Sequence, residues 1–110
     1  MRAFLFLSLF ALPATASRAV PPLPPPEAQV AEVLQHAYAN APFVRLTGGT
    51  LPEIKHVAHT NFCDIGWKVD AENGRIVLVA VIDNLVKGAA GSAVQNLNIL
   101  LGLDERTGLL

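Results

Sequence analysis

The chain has 110 residues, a formal net charge of −1, a hydrophobic fraction of 52% and one cysteine. That length suits one small domain rather than two, able to bury roughly 60–65% of its unfolded surface. Its basic residues are scattered, so nothing displaces counterions from a phosphate backbone and nucleic-acid binding is disfavoured; one thiol excludes an internal disulfide framework.

Met1-Arg2 is a short positive start, and Ala3 to Leu12 is apolar. Ala14-Thr15-Ala16 precedes Ser17, so the three parts of a secretory signal peptide are present. The stretch is too short to span a bilayer as a helix. A chance apolar leader is the other reading, because nothing after residue 20 looks secreted: no cysteine pairing and no N-x-S/T acceptor. Pro21-Pro22-Leu23-Pro24-Pro25-Pro26 favours extended polyproline II. Residues 1–20 thus read as a leader, 21–26 as a spacer and 27–110 as the folded part.

From Glu27 the period is helical. Val30, Val33, Leu34, Ala37 and Tyr38 share one face, Glu27 favours the N-terminal dipole, and Pro26 suits a first turn. Asn40 is expected to end the helix in a left-handed conformation, with Pro42 forbidding continuation. The single apolar stripe implies that the helix covers a sheet. His36 reads as solvated and Tyr38 as a packing residue.

Phe43 to Leu46 reads as a short strand and Thr47-Gly48-Gly49-Thr50 as a turn; this Gly-Gly pair lacks the lysine and helix of a phosphate loop. From about Ile54 the chain is expected to extend again. Ile65, Trp67 and Val69 alternate with Asp64, Gly66 and Lys68, the pattern of a half-buried strand. Asp70-Ala71-Glu72-Asn73-Gly74 is a hairpin connection, with Asn-Gly expected to supply positive φ angles. Ile76 to Ile82 is apolar throughout, as in a central strand covered on both faces. After Lys87, Ala90, Ala93, Val94, Leu97 and Leu101 share a helical face that Gly102 ends. Gly88, Ala89, Ala90 and Gly91 allow close backbone approach at the helix start. Asn96 either faces solvent or hydrogen-bonds across an interface.

His56, His59 and Cys63 lie at i, i+3, i+7, one helical face. Val57, Thr60, Phe62 and Ile65 make the stretch read as a strand instead, on which the three do not converge, and no metal site is expected. Cys63 with His59 invites a thiolate–imidazole reading, but a cysteine in an extended apolar segment is more often a packing residue. Asp83-Asn84, at the end of a buried strand, has two open readings. Ligands of α/β proteins bind at such strand ends, and an Asp-Asn pair also caps the following turn.

Several motifs carry a family resemblance. They are Tyr38-Ala39-Asn40-Ala41-Pro42-Phe43-Val44, Leu51-Pro52-Glu53, Asn61-Phe62-Cys63-Asp64-Ile65-Gly66, and the long run from Ala80 through Ile82-Asp83-Asn84-Leu85-Val86-Lys87-Gly88-Ala89-Ala90-Gly91 to Asn96. In order and spacing the chain from about Leu23 onward resembles the C-terminal part of N-acetyl-gamma-glutamyl-phosphate reductases. The resemblance implies an NADPH-dependent reduction of an acyl phosphate, N-acetyl-glutamyl phosphate, to a semialdehyde in arginine biosynthesis. In that family a cysteine attacks the acyl phosphate, phosphate leaves, and hydride converts the thioester to aldehyde with a histidine as acid/base. The family's Gly-rich dinucleotide fingerprint and its Gly-Cys-Tyr-Pro-Thr nucleophile motif are absent from this sequence. Cys63 does not match the nucleophile, and His36, His56 and His59 do not match the acid/base, so no catalytic residue carries over. Asn84 does, as the asparagine expected near the nicotinamide carboxamide, with Lys87 and Gly88 beside the cofactor. The resemblance also implies a cytoplasmic protein that forms a homo-oligomer or docks on a nucleotide-binding domain, without a transmembrane span.

The expected fold is therefore α+β: a small, mostly antiparallel sheet, one covering helix and a C-terminal helix. The expected function is that of a truncated reductase, inactive alone. The rival readings are a small secreted binding module that reuses the domain and a partner of a separate nucleotide-binding domain.

Overall fold

The computed structural model describes residues 25–110; the leader, and the spacer up to Pro24, lie outside the described residues. The element order is helix α1 (Glu27–Tyr38), strand β1 (Val44–Gly48), a 3-10 turn (Ile54–His56), strands β2 (Cys63–Asp70) and β3 (Arg75–Ile82), a π turn (Val86–Ala90) and helix α2 (Gly91–Leu100). The fold is α+β. One three-stranded sheet has the order β1-β2-β3. Strands β1 and β2 run parallel over four aligned pairs, with an irregularity between Leu46 and Gly48. Strands β2 and β3 run antiparallel over eight pairs, from Cys63 opposite Ile82 to Asp70 opposite Arg75. By ladder length the sheet is mostly antiparallel.

Helix α1 begins where Pro26 turns from extended to helical, its carbonyl accepting from the Gln29 and Val30 amides. The helix does not end as the sequence suggests. Asn40 is absent from the positive-φ residues, and Ala39 closes the helix in right-handed geometry with the Ala41 amide bonded to the Tyr38 carbonyl. Pro42 is what stops it, by removing the next donor. Val30 is the buried residue of the stripe. Val30, Val33 and Leu34 face Ile76 and Leu78 of β3 across an apolar groove of about 330 Å3, so the helix covers the sheet loosely.

Strand β2 departs from simple alternation. Trp67 is buried as expected, but Asp64 and Gly66 on the opposite face are buried too. The segment after β1 folds back over that face. A Cβ at Gly66 would lie 2.6 Å from both Thr47 Oγ1 and the Thr50 carbonyl, and 2.8 Å from Pro52 Cδ. Arg45 reaches across and donates to both Asp64 oxygens, at 2.6 and 2.9 Å. Its guanidinium also donates to the His56 carbonyl and stacks 4.4 Å from the Phe62 ring centroid. A bidentate pair of this kind fixes geometry as well as energy.

The extended segment expected from Ile54 is instead a 3-10 turn followed by further turns, and β2 starts only at Cys63. Local bonds decide it. The Ala58 and Val57 amides both bond the Ile54 carbonyl, while the Thr60 amide and hydroxyl bond the Val57 carbonyl. Fully buried Val57 makes this turn part of the core, with Phe43 and Trp67.

In the hairpin, Gly74 has φ +65° but Asn73 does not share it; the Asp70 carboxylate accepts from the Asn73 backbone and side-chain amides instead. Strand β3 is not a central strand among the described residues. It is the sheet edge, and Ile76, Val77, Leu78 and Ile82 are exposed because no layer among the described residues packs closely over their faces of the strand.

The crossing over Gly66 makes a direct prediction. Gly66→Ala should lower stability by roughly 1–3 kcal/mol, the cost of overpacking a tight contact. A chemical denaturation midpoint equal to that of the wild type would contradict this close approach.

Candidate functional site

At one end of the sheet, Val44, Cys63 and Ile82 are aligned neighbours. The loops that precede β1 and β2 and follow β3 therefore meet there. The junction from Ile82 to Gly91 is built on Asp83. One oxygen of its carboxylate accepts from the Leu85 and Val86 amides, at 2.8 and 2.9 Å, and the other accepts from the His59 amide at 2.8 Å. Those three backbone bonds hold the Asp83 carboxyl below its ordinary pKa. His59 itself has φ +62°, a conformation rare for a β-substituted residue. The bond from His59 to Asp83 fixes this left-handed turn against the end of β3.

After Asp83 the backbone winds as a π turn. The Gly88 amide bonds the Asp83 carbonyl at 2.9 Å, and the Ala90 amide bonds the Leu85 carbonyl at 3.2 Å. Short π segments concentrate at functional sites. Asn84 and Gly88 are both exposed. A Cβ on Gly88 would sit 3.1 Å from the Asn84 side-chain oxygen and 3.4 Å from Ile82 Cδ1. Glycine at 88 thus leaves the space that the Asn84 carboxamide occupies beside the helix start.

Lys87 takes a different direction. Its ammonium donates to Gln95 Oε1 at 2.6 Å and lies 5.5 Å from the Phe43 ring centroid. Burial pushes its pKa down, with Cys63 and Glu105 opposing the shift. Gln95 Oε1 also accepts from buried Asn61 at 3.0 Å, and Gln95 Nε2 donates to Glu105 at 2.8 Å. A cleft of about 910 Å3 opens over this network, between Asn40–Val44 on one side and Lys87, Gln95, Ile99 and Glu105 on the other. Of the three residues expected beside a cofactor, the structure brings Asn84 and Gly88 together and aims the Lys87 ammonium away into this cleft.

Cys63 starts β2 half-buried, and desolvation raises its thiol pKa. A protonated thiol is a poor nucleophile, and the shift favours that form. Among the described residues, no group of three His, Cys, Asp or Glu side chains is close enough to hold a metal ion. Asn96 is exposed, whereas Asn98 is buried and donates to the Glu105 and Thr107 carbonyls. Asn61, Gln95, Asn98 and Glu105 were not singled out from sequence. Only the mid-helix placement of two Asn residues, unfavourable by propensity, hinted at a polar seam.

The model of the family described as semialdehyde dehydrogenase, dimerisation domain, matches residues 14–84. The chain belongs to this family. It is 56% identical over 87 residues to an N-acetyl-gamma-glutamyl-phosphate reductase of Pelotomaculum thermopropionicum, covering 78% of this chain and 25% of that protein. It is 57% identical over 74 residues to the reductase of the same name from Shouchella clausii, covering 66% of this chain and 22% of that one. A third, from Methanosarcina acetivorans, is 51% identical over 80 residues, 73% of this chain and 24% of the relative. The chain thus spans about a quarter of the length of the reductases it matches. Of the two readings of Asp83-Asn84, the turn cap is realised by Asp83, and Asn84 is exposed to solvent.

The Asp83 bonds carry a pH signature. Its folded pKa lies below the unfolded value of about 3.9. Its stabilising contribution is therefore complete above that value and is lost as pH falls through the lower, folded pKa. Asp83→Asn should destabilise the wild-type fold above about pH 4 and narrow that difference as acid is added. Unfolding midpoints followed from pH 6 to pH 2 test this; a difference that stays constant over the range would show that the carboxylate charge is irrelevant.

Proposed function

We propose that this chain is the C-terminal part of an N-acetyl-gamma-glutamyl-phosphate reductase, and that it supplies one wall of the cofactor site rather than a complete active centre. The observation that carries this reading is the exposed Asn84 carboxamide, set beside Gly88 by the Asp83 bonds in a run that resembles the family's. A primary carboxamide has two donors and an acceptor, the complement of another carboxamide such as that of nicotinamide. The residues present therefore fit NADP at this one point. Lys87 can contribute positive charge from the cleft, though its ammonium is engaged by Gln95.

The bound dinucleotide would supply the hydride for reducing an acyl phosphate to a semialdehyde. Asn84 would orient the nicotinamide amide and Gly88 would let it approach the backbone. We assign the nucleophile and the acid/base to polypeptide outside this part of the reductase, because Cys63, His36, His56 and His59 do not match the positions that carry those roles in the family it resembles. Among the described residues no helix is long and apolar enough to cross a membrane. On the resemblance to biosynthetic reductases we place the protein in the cytoplasm.

Two apolar surfaces suggest two partners. The exposed Val77 face of β3, opposite the side that α1 covers, lies within the residues that match the dimerisation-domain model, and we assign it to a second copy. The exposed stripe of Val94, Leu97 and Leu101 on and after α2 lies beyond that match, and we assign it to a nucleotide-binding domain. Sedimentation should show a concentration-dependent dimer that Val77→Asp disrupts; a monomer at every concentration would remove the assignment of β3.

The purified chain should consume no NADPH with the acyl phosphate, and activity should appear when a polypeptide bearing the nucleotide-binding domain and the nucleophile is added. In that complex Asn84→Ala should lower kcat/KM for NADPH roughly 10–100-fold, the loss expected for one or two hydrogen bonds to the cofactor. Turnover by the chain alone would overturn the reading.

A further inference from the structure

The hairpin that joins β2 to β3 carries a reactive pair independent of the junction described above. Asn73 is exposed in the connection between Asp70 and Arg75 and is followed by Gly74. Asparagine can lose its amide when the next backbone nitrogen closes a ring on its side chain. Glycine at that next position offers the least steric resistance. The other five asparagines precede Ala41, Phe62, Leu85, Leu97 and Ile99, each of which bears a Cβ.

We propose that Asn73-Gly74 is a site of spontaneous deamidation and that Asp70 is its guard. In the reaction the deprotonated Gly74 backbone nitrogen attacks Asn73 Cγ. A new N–Cγ bond forms, the Cγ–Nδ2 bond breaks, and ammonia leaves with the proton lost by Gly74. Water then opens the resulting succinimide at either carbonyl, giving aspartate or isoaspartate. Nothing is oxidised or reduced, and the net change is water in and ammonia out.

Asp70 opposes the first step through geometry. One of its oxygens accepts from Asn73 Nδ2 at 2.8 Å and the other from the Asn73 backbone amide at 3.2 Å. The carboxamide is thereby turned toward Asp70, and ring closure requires that this clasp be broken. Conversion also removes the side-chain half of the clasp for good. The new carboxylate has no proton to donate and places a like charge beside Asp70, while isoaspartate adds a methylene to the connection of the longest ladder in the sheet. Deamidation at this point would loosen the β2–β3 hairpin irreversibly, which makes it a built-in limit on the lifetime of the fold.

The test is peptide mapping by mass spectrometry, with fragmentation that distinguishes isoaspartate, on the full chain aged at 37 °C and mildly alkaline pH. Asn73 should convert before the other asparagines. It should convert roughly three- to tenfold more slowly in the folded chain than in the same chain held in urea, the factor that a hydrogen bond of ordinary net strength provides. Asp70→Ala should close most of that gap, and Asp70→Asn part of it. The comparison of folded with denatured wild type needs no variant and tests protection by the fold, and the Asp70 variants assign that protection to the carboxylate. Conversion elsewhere while Asn73 keeps its amide would refute the site. Equal rates in the folded and denatured wild type would refute the guard.

Discussion

Two carboxylate oxygens on Asp83 receive three backbone N–H groups, two from the residues just after it and one from His59, 24 positions earlier in the chain. The first pair turns the end of β3 into the π turn. The third ties the left-handed turn before β2 to the same point. Without it, the segment from Ile54 to Phe62 would be anchored mainly by Val57 and by the reach of Arg45 to the His56 carbonyl. Each of these amides is a donor that regular secondary structure does not use, so one side chain satisfies orphan groups of two segments at once. The presentation of Asn84 follows: the residues on both sides of it are fixed, and its own side chain is left unconstrained by the cap.

Behind that surface lies a polar seam. Asn61 donates to Gln95, which also accepts from Lys87 and donates to Glu105. Asn61 is 1% exposed, and its side-chain oxygen has no hydrogen-bond partner among the described residues. It packs against the Cα of Gly91, where any Cβ would collide with it and with the Val86 carbonyl. Gly91 is thus required for the approach of α2 to Asn61, more than for any unusual φ. A buried, mostly satisfied network favours one arrangement, because slipping the helix would strand several polar groups together. Lys87 belongs to this seam as much as to the candidate site, which is why its ammonium does not stand beside Asn84.

How far the sequence can be read depends on which forces act locally. The apolar run of β3, the helical periods of α1 and α2, and Gly102 as a helix stop are visible in residue order. The last is realised in full: the Gly102 amide bonds the Ile99 carbonyl, the Leu103 amide bonds the Asn98 carbonyl, and Gly102 has φ +70°. What escapes a linear reading is set by contacts distant in sequence. The burial of Asp64 and Gly66 comes from a crossing segment and from Arg45, 19 residues away. The turns around His59 depend on Asp83. The exposure of β3 reverses a sound inference from composition, because an apolar strand states that something must cover it and not that this part of the chain does. The division of Asp83 and Asn84 into cap and presented group also needed coordinates, since both residue types cap turns and both bind ligands.

Helix α2 shows how an exposed apolar surface can coexist with a well-defined position. Leu97, Leu100 and Leu101 are 52%, 82% and 65% exposed. What remains exposed amounts to about two whole leucine side chains, so full burial would add roughly 3–6 kcal/mol, a gain near the lower end of the whole stability of a small domain. The helix is held instead by polar contacts on its other flank: Asn61 to Gln95 at its middle, and Asn98 to the Glu105 and Thr107 carbonyls at its end. Such contacts are directional, and they set orientation without using the leucine face. Had the helix been positioned by its leucines, that face would be buried within the domain and could not meet anything else. Anchoring by hydrogen bonds on one side therefore leaves hydrophobic free energy on the other for association, in a geometry already fixed before association occurs.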